Sequence, residues 1–353
     1  MKVRLLAIAT LLSLMTAVVL AAQGPRSNSK SLVIRKARGA RLVPMLPATD
    51  GIVTLDAKRL STEGLPRVFE ANSTLLAKVN DAIQEIQTKT GIDLRKFDEV
   101  ALGLKITPTA TKAVRFDGVA LVSGDINAAA MIAVAKLASN GAYREEKVAG
   151  RTVYVFTVKD IANKAATTAT SGATAGLIDK GVRQMTTSIA VAAYDANLLV
   201  IGDFGLVRQT LTGNTHPSAE LTSLLNRNPS AIMNFAVKTP AGLDGMLPLG
   251  NDELGKNLRS IQYISGAMDV TSAGASLSVD ARTAQVDQAN GLKATLDGLQ
   301  IMGTAILGGS NKPANQVYSR MLKSAKFGQN GNDVTLDLLV PQADIDALVS
   351  GIK

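Results

Sequence analysis

Few residues in this 353-residue chain are of types that do chemistry: it has one histidine, no cysteine and no tryptophan. His216 sits in "GNTHPSAE", a polar turn ahead of Pro217. A Ser-His-Asp machine needs its histidine oriented by a carboxylate and set beside an activated nucleophile. No G-x-S-x-G elbow occurs to supply that nucleophile, and the turn composition reads as a solvated histidine. With one imidazole and no thiol, a zinc or copper site lacks the nitrogen and sulfur ligands those metals take. Thiolate nucleophiles are excluded outright.

Carboxylates remain. Paired acids cleave glycosidic bonds, and clustered oxygens hold calcium. The candidates are Asp93, Asp98 and Glu99 in "GIDLRKFDE", Glu145 and Glu146 in "YREEKV", and Asp252 and Glu253 in "NDELGKNLR". Asp98 and Glu99 open a strand, so they point to opposite faces. Glu145 and Glu146 lie between Arg144 and Lys147, as on a solvated hairpin edge. Asp252 and Glu253 suit the positive end of a starting helix. "GQNGND" (328–333) lacks the ligand spacing of an EF-hand and reads as a type I′-like turn. "GLDGMLPLG" is followed by no G-K-[ST], and "GTAILGGSNK" follows a helix, whereas a phosphate cradle follows a strand. Aromatic residues make up only 3% of the chain, so stacking platforms for sugars are scarce. No residue is assigned a catalytic, cofactor-binding or metal-ligating role, and no cofactor is implied.

The ends of the chain speak to location. Lys2 and Arg4 precede an uncharged stretch, residues 5–22, that closes on Val19-Leu20-Ala21-Ala22. This reads as a cleaved signal peptide over 1–22; the alternative is an uncleaved membrane anchor. The protein is therefore expected to be exported, to the periplasm, cell envelope or exterior. Residues 1–41 hold eight of the 38 basic residues and no acid, which leaves 30 cations against 29 acids over 42–353. The positive excess thus belongs to the signal and a basic flexible tail, 23–44. Such a tail can lie on an anionic surface. The near-neutral body offers no basic stripe for specific nucleic-acid binding.

The elements expected from periodicity divide into two series. "DGIVTLDAKRL" opens with a strand, and Leu75, Val79, Ile83 and Ile86 then form one apolar stripe of a helix closed by Gly91. Two strands follow ("FDEVALGLKI", "RFDGVALVSGDI"), then a helix ("NAAAMIAVAKLASNG") and a hairpin turning at Ala149-Gly150. The low-complexity run at about 160–186 comes next. A second hairpin ("SIAVAAYDANLLVIGD") and the short helices "FGLVRQTLTG" and 218–225 end the series. From "SAIMNFAVKTP" the order starts again: strand, Gly-broken helical region, paired strands, a helix ("TAQVDQANGLKATLDGLQIMGTAIL"), a hairpin and a last helix ("PQADIDALVSGI"). The repeated order predicts an α+β fold of two related halves, each a mainly antiparallel sheet with helices packed on one face. The first unit spans 45–226, with the insertion at about 160–186, and the second spans 227–353. The Ala-rich helices are expected to bury against the sheet, the alternative being a groove for an apolar ligand.

This order, with the export signal and the "LPATDGIVTLDA" opening, resembles a group of uncharacterised exported bacterial proteins carrying a duplicated α+β domain of unknown function. The resemblance implies the fold and no functional residue. The absence of catalytic constellations points to an exported, non-enzymatic binding or envelope-associated protein. Its partner would be another protein, an apolar ligand or an anionic envelope polymer. The alternative is an extracytoplasmic carboxylate-dependent hydrolase of glycosidase type.

Overall fold

The computed structural model describes residues 41–108, 114–157, 188–225, 228–240 and 253–350. The signal, most of the tail, the run at 160–186, Asn226, Arg227 and the whole of "GLDGMLPLGND" lie outside the described residues.

Twelve strands form one antiparallel sheet: β1 Gly51–Asp56, β2 Phe97–Pro108, β3 Val114–Gly124, β4 Tyr143–Val148, β5 Arg151–Thr157, β6 Ser188–Asp195, β7 Leu198–Gly202, β8 Met233–Lys238, β9 Ile261–Thr271, β10 Gly274–Thr283, β11 Lys326–Asn330 and β12 Asp333–Pro341. Their order across the sheet is β11-β12-β10-β9-β8-β1-β2-β3-β7-β6-β5-β4. The chain is α+β, as expected. The two series share the sheet because β1 pairs with β2 on one side and β8 on the other. Thr157 pairs with Ser188, so residues 158–187 join two neighbouring antiparallel strands.

The helices are α1 Ser73–Thr90, α2 Ala128–Ala138, α3 Phe204–Thr212, α4 Ala219–Leu225, α5 Glu253–Arg259, α6 Val286–Gly308, α7 Pro313–Ser324 and α8 Gln342–Ser350. Local chemistry sets their ends. Asn72 accepts from the Leu75 amide to start α1, and Gly91 closes it at φ 69°; Asn127 and Asp203 cap α2 and α3 in the same way. The turn 69–72 precedes α1. A separate helical run over 57–68 precedes it and contains one π turn, Leu60–Gly64. α7 had no counterpart among the expected elements.

Strand alternation gives the sheet an Ile52 face and a Val53 face. On the Ile52 face, Leu42, Val43 and Leu46, with Leu206, Val207 and Leu211 of α3 and Leu221, Leu224 and Leu225 of α4, bury Ile52, Ala101, Leu121, Val153, Ala192 and Val200. The basic tail therefore ends sooner than 44: Leu42 and Val43 are core residues, because the apolar pair can bury only by docking on the sheet. On the Val53 face, α1, α7 and α8 cover Phe235, Met268, Leu277 and Leu338. α2 covers Val191 and Leu199 there, and α5 and the start of α6 cover Val334. Across β10 to β12 of the second series helices occupy one face, as expected, whereas α4 also lies over β8 and β9 on the Ile52 face. Across the first they occupy both, because β1 to β3 and β5 to β7 carry apolar residues on both sides and each side must be covered.

Two turns show how backbone conformation selects residues. Ala149 (φ 48°) and Gly150 (φ 78°) both take positive φ between β4 and β5, the type I′ requirement. Between β11 and β12 only Gly331 does, at φ 58°. That is the pattern of a type II′ turn, which corrects the type I′-like expectation for "GQNGND".

A polar cleft on the open sheet face

One register row crosses the whole sheet: Glu146, Val153, Ala192, Val200, Leu121, Ala101, Thr54, Asn234, Ala267, Ser278, Asp337, Lys326. All twelve share the Ile52 face, since directly opposed residues point the same way. From Val153 to Ala101 the row is apolar and lies under α3 and the 42–46 segment. From Thr54 onward it becomes polar, apart from Ala267, and beyond β9 this face carries no helix among the described residues. Thr54 and Asn234 are polar yet buried; from Ser278 outward polarity and the absence of a cover go together, because a bare sheet face must be wet.

The bare part forms a cleft of about 830 Å³ over β10, β12 and β11. Its floor presents Ser276, Ser278 and Asp280 of β10, Asp333, Thr335 and Asp337 of β12, and Lys326, Gly328 and Asn330 of β11, with Ala267 and Asn228 toward the middle of the sheet. Asp280 stands opposite Thr335, and Asp337 opposite Ser278, so the two carboxylates are diagonal neighbours on one face. At the rim Arg282 donates from Nε to Asp333 Oδ1 (2.7 Å) and from Nη2 to Oδ2 (3.0 Å). It also pairs with Glu220 of α4. The Asp333 bonds, then burial and the two carboxylate charges, act on the guanidinium with a net upward shift of its pKa. One side chain therefore fastens α4, which lies over β1, β8 and β9, to the open strands β10 and β12. Beside the cleft, Ser265 Oγ and Asn234 Oδ1 are buried on the same face without a hydrogen-bond partner among the described residues.

The cleft can do much hydrogen bonding and little else. It offers hydroxyls, amides, three carboxylates and one ammonium. With Asp333 held by Arg282, the charges left are Asp280, Asp337 and Lys326, a nearly balanced set that suits a polar ligand. Among the described residues no three histidine or acidic side chains come together as a metal site needs. The aromatic cluster of the molecule lies elsewhere: Tyr143 packs against Tyr154 (5.9 Å) and Phe156 (5.7 Å) on the Val53 face, with Lys136 Nζ 4.7 Å above the Tyr154 ring. Those rings are packed against one another and beneath a cation, so they make no free stacking platform.

The acids singled out in the sequence are not brought together. Asp93 caps the turn Leu94–Lys96, and the hydrogen bond from Arg95 (2.8 Å) holds its carboxyl below the usual range. It lines a smaller hollow of about 230 Å³ with Lys96, Asp125 and Asn127. Asp98 faces Lys58, Glu99 faces Arg41, Glu145 faces Lys136 and Glu146 pairs with Arg144. Glu253 begins α5, and Asp252 lies outside the described residues. His216 donates from Nδ1 to the Pro44 carbonyl oxygen at 2.8 Å, pinning the 213–218 turn to the 42–46 segment. Sequence reasoning passed over Asp280 and Asp337. The available signal was the Ser-x-Ser-x-Asp-x-Arg alternation in "GASLSVDART", which marks one face of a strand as polar.

No protein-family model matches the chain, and no curated protein matches it. Among solved structures the chain is similar to TP0453. Crystal form IV of TP0453 is 9% identical over 88% of this chain and 96% of that one, with TM-score 0.42. Form III gives 9%, 87%, 97% and 0.43, and form I gives 10%, 88%, 97% and 0.40. At this level of likeness nothing about ligand or role transfers.

Proposed function

We propose that the chain is an exported, non-enzymatic binding protein whose ligand rests on the open polar face of β10, β12 and β11. The observation that carries the reading is the outer end of the row, Ser278, Asp337 and Lys326, a hydrogen-bonding floor left uncovered where the same face of the first series is sealed. The export signal read from residues 1–22 sets the protein outside the cytoplasm. An internal duplication is supported by strand order: outward from the centre the two series run β1-β2-β3-β7-β6 and β8-β9-β10-β12-β11. The first series adds the β5-β4 hairpin at its edge. The terminal helices diverge, with α3 on the Ile52 face and α8 on the Val53 face. On this reading it is that divergence that seals one half and leaves the outer strands of the other open.

A carboxylate-dependent hydrolase is the second reading, favoured by the diagonal pair Asp280 and Asp337. Diagonal neighbours stand about 7–8 Å apart, within the roughly 6.5–9.5 Å of inverting glycosidases. Native mass spectrometry of the protein from its exporting host tests both. The binding reading expects a retained polar ligand that is lost in Ser278→Trp, which fills the cleft floor. A mass that is kept in Ser278→Trp, or an empty protein that also fails on glycan and peptide arrays, would falsify it. Turnover of an array ligand that stops in both Asp280→Asn and Asp337→Asn would replace it with the hydrolase.

A further inference from the structure

We infer that the outer half of α6, with α7 beside it, is a surface that lies on an anionic lipid bilayer. The two halves of α6 are held differently. Ala289 and Leu292 are buried against Ile261 and Val334 of the sheet. Beyond Asp297 the helix rests on α7. Gly303 and Gly308 let α7 approach, since a Cβ at either would come within 3.0 Å of Leu322 and 3.3 Å of Ser319. Gln300 Nε2 donates to the Leu322 and Ala325 carbonyl oxygens and closes the end of α7.

What faces outward there is apolar. Ile301 is 73% exposed, Ile306 69% and Met302 54%, with Leu299 and Tyr318 of α7 also exposed. Leu299, Met302 and Ile306 share one helix face by their three- and four-residue spacing, and a monomer rarely leaves such a group in water. The sequence around it is selective in charge. Residues 298–311 carry no charge at all. Residues 298–326 carry Lys312, Arg320, Lys323 and Lys326 and no acid, in a chain with 29 acids. Arg320 is paired with Asp344, and Lys326 stands on the opposite face. That leaves Lys312 and Lys323 as the exposed cations beside the apolar side chains, a pairing that matches the acyl boundary and phosphate layer of an anionic membrane. Self-pairing of the same surface would set these cations against their own copies. No helix among the described residues is long and apolar enough to cross a membrane, so the helix lies on the bilayer and does not span it. This surface is on the Val53 face, opposite the polar cleft, and is independent of what the cleft binds.

The chain has no tryptophan, so a single introduced one reports its own surroundings. Full-length Ile306→Trp is mixed with phosphatidylglycerol/phosphatidylcholine vesicles and with vesicles whose acyl chains are brominated. Ala196→Trp, an exposed turn position in the first series, is the control. Because the reporter is local, attachment through residues 5–22 leaves it unchanged. The expected result is blue-shifted emission at 306, quenched by bromine, with neither effect at 196. Each of Lys312→Ala and Lys323→Ala should weaken this response about fivefold, as the loss of about 1 kcal/mol per cation near an anionic surface implies. Emission at 306 that ignores vesicles overturns the inference, and so does equal quenching at 196. A blue shift that appears without lipid and grows with protein concentration replaces the bilayer with a second copy of the chain.

Discussion

Arg59 donates from Nη2 to Asp269 Oδ1 at 2.7 Å and from Nη1 to the Ser230 carbonyl oxygen at 2.6 Å, tying the helical run after β1 to β9, 210 residues further on. Burial pushes the Asp269 carboxyl above its ordinary 3.8, and the Arg59 charge and bond pull it back. A carboxyl raised in the folded state binds its proton more tightly there than in the unfolded chain. Its contribution to stability therefore falls as pH rises from the ordinary value through the raised one. Arg59→Met removes the opposing charge and widens that window upward. The expected cost at neutral pH is about 1–3 kcal/mol, smaller in acid, read from urea midpoints across pH. Equal losses at all pH values would mean that the pair contributes by packing alone.

Gly266 lies under the Phe235 ring. A Cβ there would stand 2.7 Å from the ring and 2.4 Å from the Ser278 carbonyl oxygen. Gly266→Ala should cost about 1–3 kcal/mol through overpacking. Shortening the ring with Phe235→Leu should recover only part of it, since the carbonyl stays. Thermal melts of the two single variants and the double variant measure both statements.

Arg282 is the one side chain holding both Asp333 and Glu220. Arg282→Leu should lower stability by about 1–2 kcal/mol, as expected for charge-assisted bonds that are partly exposed. Hydrogen exchange should rise first in α4, which loses its tie to β10 and β12. Unchanged protection of α4 would show that Leu221, Leu224 and Leu225 hold it unaided.

Leu338 and Leu339 are adjacent on β12 and face opposite ways. Leu338 is 1% exposed under the helices of the Val53 face, while Leu339 stands on the open face and is half-buried. Leu338→Ala should cost about 2–5 kcal/mol and Leu339→Ala less than about 1 kcal/mol. Similar costs would mean that the Ile52 face of β12 is covered after all.

Much of the fold was readable residue by residue. Alternation in "TVYVFTV" and "ASLSVDA" marks strands, the Leu75-Val79-Ile83 spacing marks α1, and Gly91 and Asn127 mark helix ends, because each signal acts within a few residues of itself. α7 was also written locally, in Pro313 at its start and Val317 and Met321 four apart, but its apolar stripe is thin and was passed over. Other features depend on residues far apart in the chain and leave no local trace. The pairing of β1 with β8, the docking of Leu42 and Val43, and the Arg59–Asp269 bridge each join segments many tens of residues apart. Which sheet face a helix covers is settled only when every apolar surface competes for burial at once. The sequence alone determined that strand residues such as Ser276, Ser278 and Asp280 share a polar side and that 298–311 carries no charge. Tertiary structure decided that the first stands as the floor of an uncovered cleft and the second faces outward, because burial is a property of the packed whole and not of the segment.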